Sequence, residues 1–250
     1  LQELLASSRP LCIAHRGNSS AAPENTLPAF RSALSLGVDL VELDYRHTAD
    51  DVPVVFHDQT LRRTTNAQQC WGAGNLRLDA YTLDELEQLD AGAWFHADFA
   101  GTRIPTLEDA LAAITPSACV MIEHKSGSPR VLISLLGRLH VVRRVIVGSF
   151  DWHFLSKCRQ QHPELPLIAL GHGQLGPQHL KAARRLRCQA IGWSEKNLNQ
   201  ESAAAIREGG WQAWAWTVDD PQRARLLTSW GVTGLITNQP AVILPVLREG

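Results

Sequence analysis

The chain has 250 residues, 44% hydrophobic and 20% charged, with a formal net charge of -1, the make-up of a globular protein able to bury a substantial core. A near-neutral balance excludes a bulk electrostatic partner such as nucleic acid or an acidic lipid surface, and the absence of any apolar run near the roughly 20 residues that cross a bilayer excludes stable membrane insertion. Five scattered cysteines without a C-x-x-C pair argue against a disulfide framework and for a reducing, cytoplasmic setting.

The first apolar run, residues 11–15, leads into His15-Arg16-Gly17 and a helical pattern over 26–36. A second run, 40–44, closes on Glu42-x-Asp44. The third, 52–57, follows too soon for a parallel crossover, which takes about a dozen residues or more. The polar stretch Thr48-Ala49-Asp50-Asp51 instead predicts a hairpin turn centred on Asp50/Asp51, so that the returning strand sets His57 opposite Asp44. Residues 59–104 then break the alternation, with one short helical segment near 83–89. They read as an insertion over the C-terminal face of the fold, either a lid or substrate wall or a packed decorative loop.

Regular alternation resumes with a helix over 106–114, which starts on Thr106 and Asp109, and a strand over 118–123 leading to Glu123-x-Lys125. Strands over 145–149, 166–170, 190–193, 212–217 and 235–237 alternate with helices over 129–139, 152–160, 177–186, 200–208 and 221–230. With the hairpin strand set aside, eight parallel strands remain. The predicted fold is α/β, a TIM-type (β/α)8 barrel with an extra antiparallel hairpin strand, in a single domain over residues 1–250.

In such a barrel the C-terminal strand ends converge on one mouth, where polar residues read as functional. The period-2 rule sends Glu42 and Asp44 to one face, and Glu123 and Lys125 likewise. Three carboxylates in one pocket repel unless paired. A hard cation, Mg²⁺ or Ca²⁺, would hold them together, and so would salt bridges to Arg16 and Lys125. His15 and His57 suit general acid–base work. Arg16 offers a planar fork, and Lys125 a point charge, for phosphate oxygens. No zinc-type ligand spacing, Gly-rich phosphate loop or nucleophile elbow occurs.

His15-Arg16-Gly17 followed after five residues by Pro23-Glu24-Asn25-Thr26 resembles the opening signature of the glycerophosphodiester phosphodiesterase family. Glu42-Leu43-Asp44, Val54-Val55-Phe56-His57-Asp58, Arg63-Thr64-Thr65-Asn66, Ile104-Pro105-Thr106-Leu107-Glu108, Ile122-Glu123-x-Lys125, Ser149-Phe150, Trp216-Thr217-Val218 and Gly231-Val232-x-Gly234-x-Ile236-Thr237 are similar to that family's motifs, in its order and over nearly the whole chain. The resemblance implies a divalent cation and hydrolysis of a small-molecule glycerophosphodiester to glycerol 3-phosphate and an alcohol. By position it implies His15 and His57 as the acid–base pair, Arg16 and Lys125 at the substrate phosphate, and Glu42, Asp44 and Glu123 as metal ligands. Trp216 falls beside the glycerol moiety or in the core, and Asn25 orders the first loop or caps a helix.

His124 departs from the aliphatic residue usual between Glu and Lys, and alternation points it away from the mouth. Asp219 replaces the usual Asn after Trp-Thr-Val, a change read as touching substrate preference. Two rival readings stand beside hydrolysis of soluble diesters. One is a phospholipase-like enzyme using Trp71, Trp94, Phe95 and Phe99 as apolar contacts, and the other a non-catalytic phosphopolyol-binding barrel. The nucleophile, water or the substrate's 2-hydroxyl, and the oligomeric state are not legible. The chain begins at Leu1, which leaves a secreted or periplasmic setting open.

Overall fold

The apolar runs become strands buried on both faces. The computed structural model describes residues 1–7 and 9–248. Its strands are β1 (Leu11–Ala14), β2 (Leu40–His47), β3 (Pro53–Val55), β4 (Cys119–His124), β5 (Val145–Ser149), β6 (Leu167–Gly171), β7 (Ala190–Ser194), β8 (Gln212–Trp216) and β9 (Gly234–Thr237). Their spatial order is β1-β9-β8-β7-β6-β5-β4-β2-β3, and β1 also pairs with β2. Eight parallel strands therefore close into a barrel, with β3 antiparallel on β2 outside the ring.

The helices are α1 (Gln2–Ala6), α2 (Leu27–Ser35), α3 (Ala67–Trp71), α4 (Leu83–Leu86), α5 (Leu107–Ile114), α6 (Pro129–Arg138), α7 (Trp152–Gln161), α8 (Pro177–Leu186), α9 (Gln200–Glu208), α10 (Pro221–Ser229) and α11 (Pro240–Arg248). Side-chain caps set several starts: Thr106 pairs reciprocally with Asp109 at α5, and Asp151 accepts from the amides of His153 and Phe154 at α7. Each such cap stabilises its helix by about 1 kcal/mol and ends the loop that forms the barrel mouth.

Alternation along the strands decides what fills the barrel. Leu11, Ile13, Leu40, Met121, Ile168 and Trp214 point inward as a packed interior. Their neighbours Cys12, Val41, Val120, Leu167 and Ala213 face the helices in a second, larger cluster. Gly234 is glycine because Trp214 lies across it: a Cβ there would come within 2.5 Å of the indole Cδ1. Leu1, Leu4 and Leu5, around α1, close the N-terminal end of the interior, and the Leu5 carbonyl accepts a 2.6 Å bond from Gln212.

The hairpin corrects the predicted register. Tyr45 pairs with Val55 and His47 with Pro53, so Phe56, not His57, lies opposite Asp44, and the Phe56 amide donates to the Asp44 carbonyl. The expected two-residue loop is instead a three-residue one. Thr48 and Val52 close it, and Asp51 takes a left-handed conformation at φ 62°, the usual device of a three-residue hairpin.

Residues 59–104 carry α3, α4 and two 3₁₀ turns rather than βα repeats. Val54, Phe56, Leu61, Leu76, Leu78, Leu86, Leu89 and Ile104 form a separate small core under them. Trp71 stacks on Tyr81 at 4.4 Å, and Phe95 packs edge-on between Trp94 and Phe99. All five cysteines are free thiols. Among the described residues, no helix is long and apolar enough to cross a membrane.

Candidate active site

Strand register assembles the site. Ile13 pairs with Leu40, so two residues further on His15 comes beside Glu42, with Nε2 4.0 Å from Oε2. Asp44 pairs with Glu123 across β2 and β4. Glu42, Asp44 and Glu123 each present an oxygen within 4.8 Å of the others, and Glu42 and Asp44 are 1% and 0% exposed. Buried Glu42 Oε1 has no hydrogen-bond partner among the described residues. A carboxylate oxygen left bare in this way beside two further carboxylates fits a hard divalent cation.

The salt-bridge network weighed from the sequence is also present. Arg16 Nε lies 3.1 Å from Asp44 Oδ2 and Lys125 Nζ 3.2 Å from Asp44 Oδ1, while Lys125 also donates to Glu123. The Arg16 amide donates to Glu42 Oε2 at 2.8 Å from a residue held at φ 57°. Gly17 follows at φ 82°, where a Cβ would meet the backbone of Ala29 at 2.7 Å. That tight turn lets α2 pack directly behind the loop.

Electrostatics split the acidic trio. Burial, then Asp44, pushes Glu123 up to about 7. Burial, then Asp44 and Glu123, drives Glu42 well above the usual carboxylate range. Burial acts on Asp44 in the same sense, but Arg16, Lys125 and both histidines outweigh it and hold Asp44 below that range. Without a cation, therefore, Asp44 alone is firmly charged, and the other two lean toward their protonated forms.

The two histidines differ in their backing. His15 Nδ1 lies 2.7 Å from Asn238 Oδ1, and burial, then Arg16, lowers its pKa to about 4. His57 Nδ1 lies 2.6 Å from Asp58 Oδ1. Burial, then Arg16 and Lys125, lowers the His57 pKa against the opposing pull of Asp44 and Asp58. Arg63 in turn binds both Asp58 and Glu24, and Glu24 accepts from Arg16 at 2.7 Å. A chain of charge-assisted bonds thus links Arg16 to His57 through side chains to which the sequence reading gave no role.

His15, Arg16, Glu42, His57, Glu123, Lys125 and Trp216 line one cavity of about 220 Å³, smaller than the roughly 300–1,000 Å³ of drug-sized sites. Asp44 lies beneath it, wholly enclosed. Met121, Phe150, Leu170 and Ile236 add apolar lining, and the Lys125 ammonium lies 5.9 Å from the Phe150 ring centroid. Phe150 meets Trp216 edge-on at 5.3 Å. None of the lining side chains comes from residues 59–104. His124 faces the helices, stacked on Phe154 at 3.5 Å, and His172 is exposed outside the cavity.

Two polar residues near the site act through other side chains. Asn25 is not a helix cap, since Thr26 caps α2. Its Nδ2 donates to Asp44 Oδ2 at 2.8 Å and its Oδ1 accepts from the Asp44 amide at 3.2 Å. Asp219 does not line the cavity; its carboxylate accepts from Thr237 and Asn238. An asparagine in the first loop and a polar pair at a strand end are the traces these contacts leave in the sequence.

A small cavity lined by cations, imidazoles and apolar side chains suits an anionic ester with a short carbon skeleton, which places the barrel in the class of phosphate-ester hydrolases. Residues 15–242 match the family model of the Glycerophosphoryl diester phosphodiesterase family, and the chain belongs to that family. It is 35% identical over 250 residues to a glycerophosphodiester phosphodiesterase of Caldanaerobacter subterraneus, covering 97% of this chain and 99% of the relative. A crystal structure of a glycerophosphodiester phosphodiesterase from Agrobacterium tumefaciens superposes with a TM-score of 0.80 at 27% identity, over 94% of this chain and 99% of that one. An Oleispira antarctica phosphodiesterase in complex with the product sn-glycerol-3-phosphate superposes with a TM-score of 0.85 at 26% identity, over 98% and 99%.

Proposed function

We propose that this protein hydrolyses glycerophosphodiesters to glycerol 3-phosphate and an alcohol by acid–base catalysis between His15 and His57. The observation that carries this reading is the convergence of both imidazoles, Arg16 and Lys125 on one small cavity above the acidic trio. Arg16 and Lys125 hold the phosphodiester and oppose the negative charge that builds during displacement. His15, kept neutral by burial and by Arg16, takes a proton at Nε2 from the attacking group as its oxygen bonds to phosphorus: water gives glycerol 3-phosphate directly, and the substrate's own 2-hydroxyl gives a cyclic phosphate that a water then opens. His57, in the imidazolium form that Asp44 and Asp58 favour against the larger effect of burial, gives its Nε2 proton to the departing alcohol oxygen as that P–O bond breaks. Glu42, Asp44 and Glu123 would hold Mg²⁺ or Ca²⁺, which when bound supplies further positive charge at the phosphoryl oxygens. Trp216 and Phe150 face the carbon skeleton of the substrate.

The test is release of glycerol 3-phosphate from a panel of soluble glycerophosphodiesters, with and without chelator, beside vesicles of intact phospholipid. Release from the soluble esters, lost on chelation and restored by Mg²⁺ or Ca²⁺, is expected. Turnover confined to vesicles would favour a lipid phosphodiesterase, and tight binding without release a non-catalytic barrel.

A further inference from the structure

The loops after β8 and β9 contain a polar pair whose geometry acts on His15. Asp219 Oδ1 accepts from the Asn238 amide at 2.8 Å and from the Thr237 hydroxyl at 2.9 Å, and Asp219 Oδ2 accepts from Asn238 Nδ2 at 2.7 Å. An ionised carboxylate only accepts, so the nitrogen of the Asn238 amide must face Asp219 and its oxygen must face the other way. That oxygen lies 2.7 Å from His15 Nδ1. It also lies 3.1 Å from the Ser19 hydroxyl, which donates to the His15 carbonyl at 2.8 Å. The backbone fixes the same junction: the His15 amide donates to the Thr237 carbonyl at 2.8 Å and the Ser20 amide to the Asn238 carbonyl at 3.1 Å.

An acceptor at Nδ1 admits one neutral form of the imidazole, with hydrogen on Nδ1 and a lone pair on Nε2. Nε2 is the atom on the Glu42 side of the ring. We propose that Asp219 and Asn238 are positioning residues that lock His15 in the Nδ1–H tautomer and aim the bare Nε2 at the reacting hydroxyl. The inference rests on the reading of His15 as proton acceptor. Neither Asp219 nor Asn238 lines the cavity, so both act through His15. Were the Asn238 amide free to turn, it would present its NH₂ to Nδ1, move the hydrogen to Nε2 and remove the base.

The pair predicts a swap. Asp219→Asn removes the acceptor-only partner and frees the Asn238 amide to turn. Asn238→Asp sets two carboxylates face to face, and their repulsion turns the acceptor away from His15 Nδ1. Each single variant is expected to lower kcat about 10- to 100-fold, the range for groups that orient a catalytic side chain, with KM changed less than about twofold. The double variant Asp219→Asn/Asn238→Asp restores a donor facing an acceptor at every link, with one bond reversed. Its kcat should rise at least about tenfold above either single variant, a non-additivity that general loss of packing does not produce. Nitrogen NMR of histidine-labelled wild-type protein reads the tautomer directly and needs no variant to fold; His15 should show hydrogen on Nδ1 when neutral. An Nε2–H tautomer, or single variants with unchanged kcat while His15→Ala is inactive, would overturn the positioning role. Full activity in His15→Ala would instead overturn the catalytic reading on which it rests.

Discussion

Removing the Asn25 side chain should cost more stability than its small size implies. Asn25 gives the enclosed Asp44 carboxylate one hydrogen bond and takes another from the Asp44 amide. A hydrogen bond to a charged group contributes about 1.5–3 kcal/mol, and a buried amide left without a partner costs about 1–3 kcal/mol. Together they give a loss of about 2.5–6 kcal/mol, a large part of the usual stability of a domain. The backbone at Asn25 sits at φ 58°, where Ala is strained by about 1–2 kcal/mol and Gly is not. Gly carries about 0.5–1 kcal/mol of extra chain entropy. Asn25→Ala and Asn25→Gly should therefore fall by similar amounts, because the lost clamp outweighs either backbone effect. Urea denaturation at neutral pH measures both. A loss under about 1 kcal/mol in Asn25→Gly would refute the clamp. A large loss in Asn25→Ala alone would show that only the backbone matters.

Two further outcomes follow from the same geometry. Glu123 is held at about 7 in the fold against an ordinary 4.5, so the folded state binds more protons between these values. Its contribution is full below about pH 4.5 and lost as pH rises through 7. In cation-free buffer Glu123→Gln should gain on wild type from pH 5 to pH 8 by up to about 3 kcal/mol. Mg²⁺ or Ca²⁺ at 100 times its Kd should then raise wild type by about 2.7 kcal/mol and the variant by less. A pH-independent difference between the two would contradict the burial and the repulsion by Asp44 that raise Glu123. Gly17→Ala should lose about 1–3 kcal/mol from strain and the clash with Ala29, measured by denaturant unfolding; a neutral substitution would show that α2 can move away.

The barrel was legible because its physics is periodic. Apolar runs alternating with capped helices require a closed parallel sheet, and the period-2 rule set Glu42, Asp44, Glu123 and Lys125 on one face without any contact being known. The hairpin register was not, since a two-residue and a three-residue loop differ only in whether Asp51 turns left-handed, which an aspartate permits and a sequence does not announce. α1 and α11 were missed for different reasons: α1 has five residues and α11 carries Pro245 in its interior. Asp58, Arg63 and Asn238 carry no role legible in the sequence, and Asn25 only that of ordering its loop, because their contacts are pairwise. The Asn25 clamp on Asp44 and the Asn238 backing of His15 exist only where separate loops meet, and spacing along one loop carries no trace of the other.

That the two imidazoles carry the chemistry is tested most directly by the rate of glycerol 3-phosphate release from glycerophosphocholine in wild type, His15→Ala and His57→Ala, each first shown to melt as the wild type does. Both variants should lose turnover by at least about a hundredfold. Wild-type rates in either folded variant would contradict the assignment.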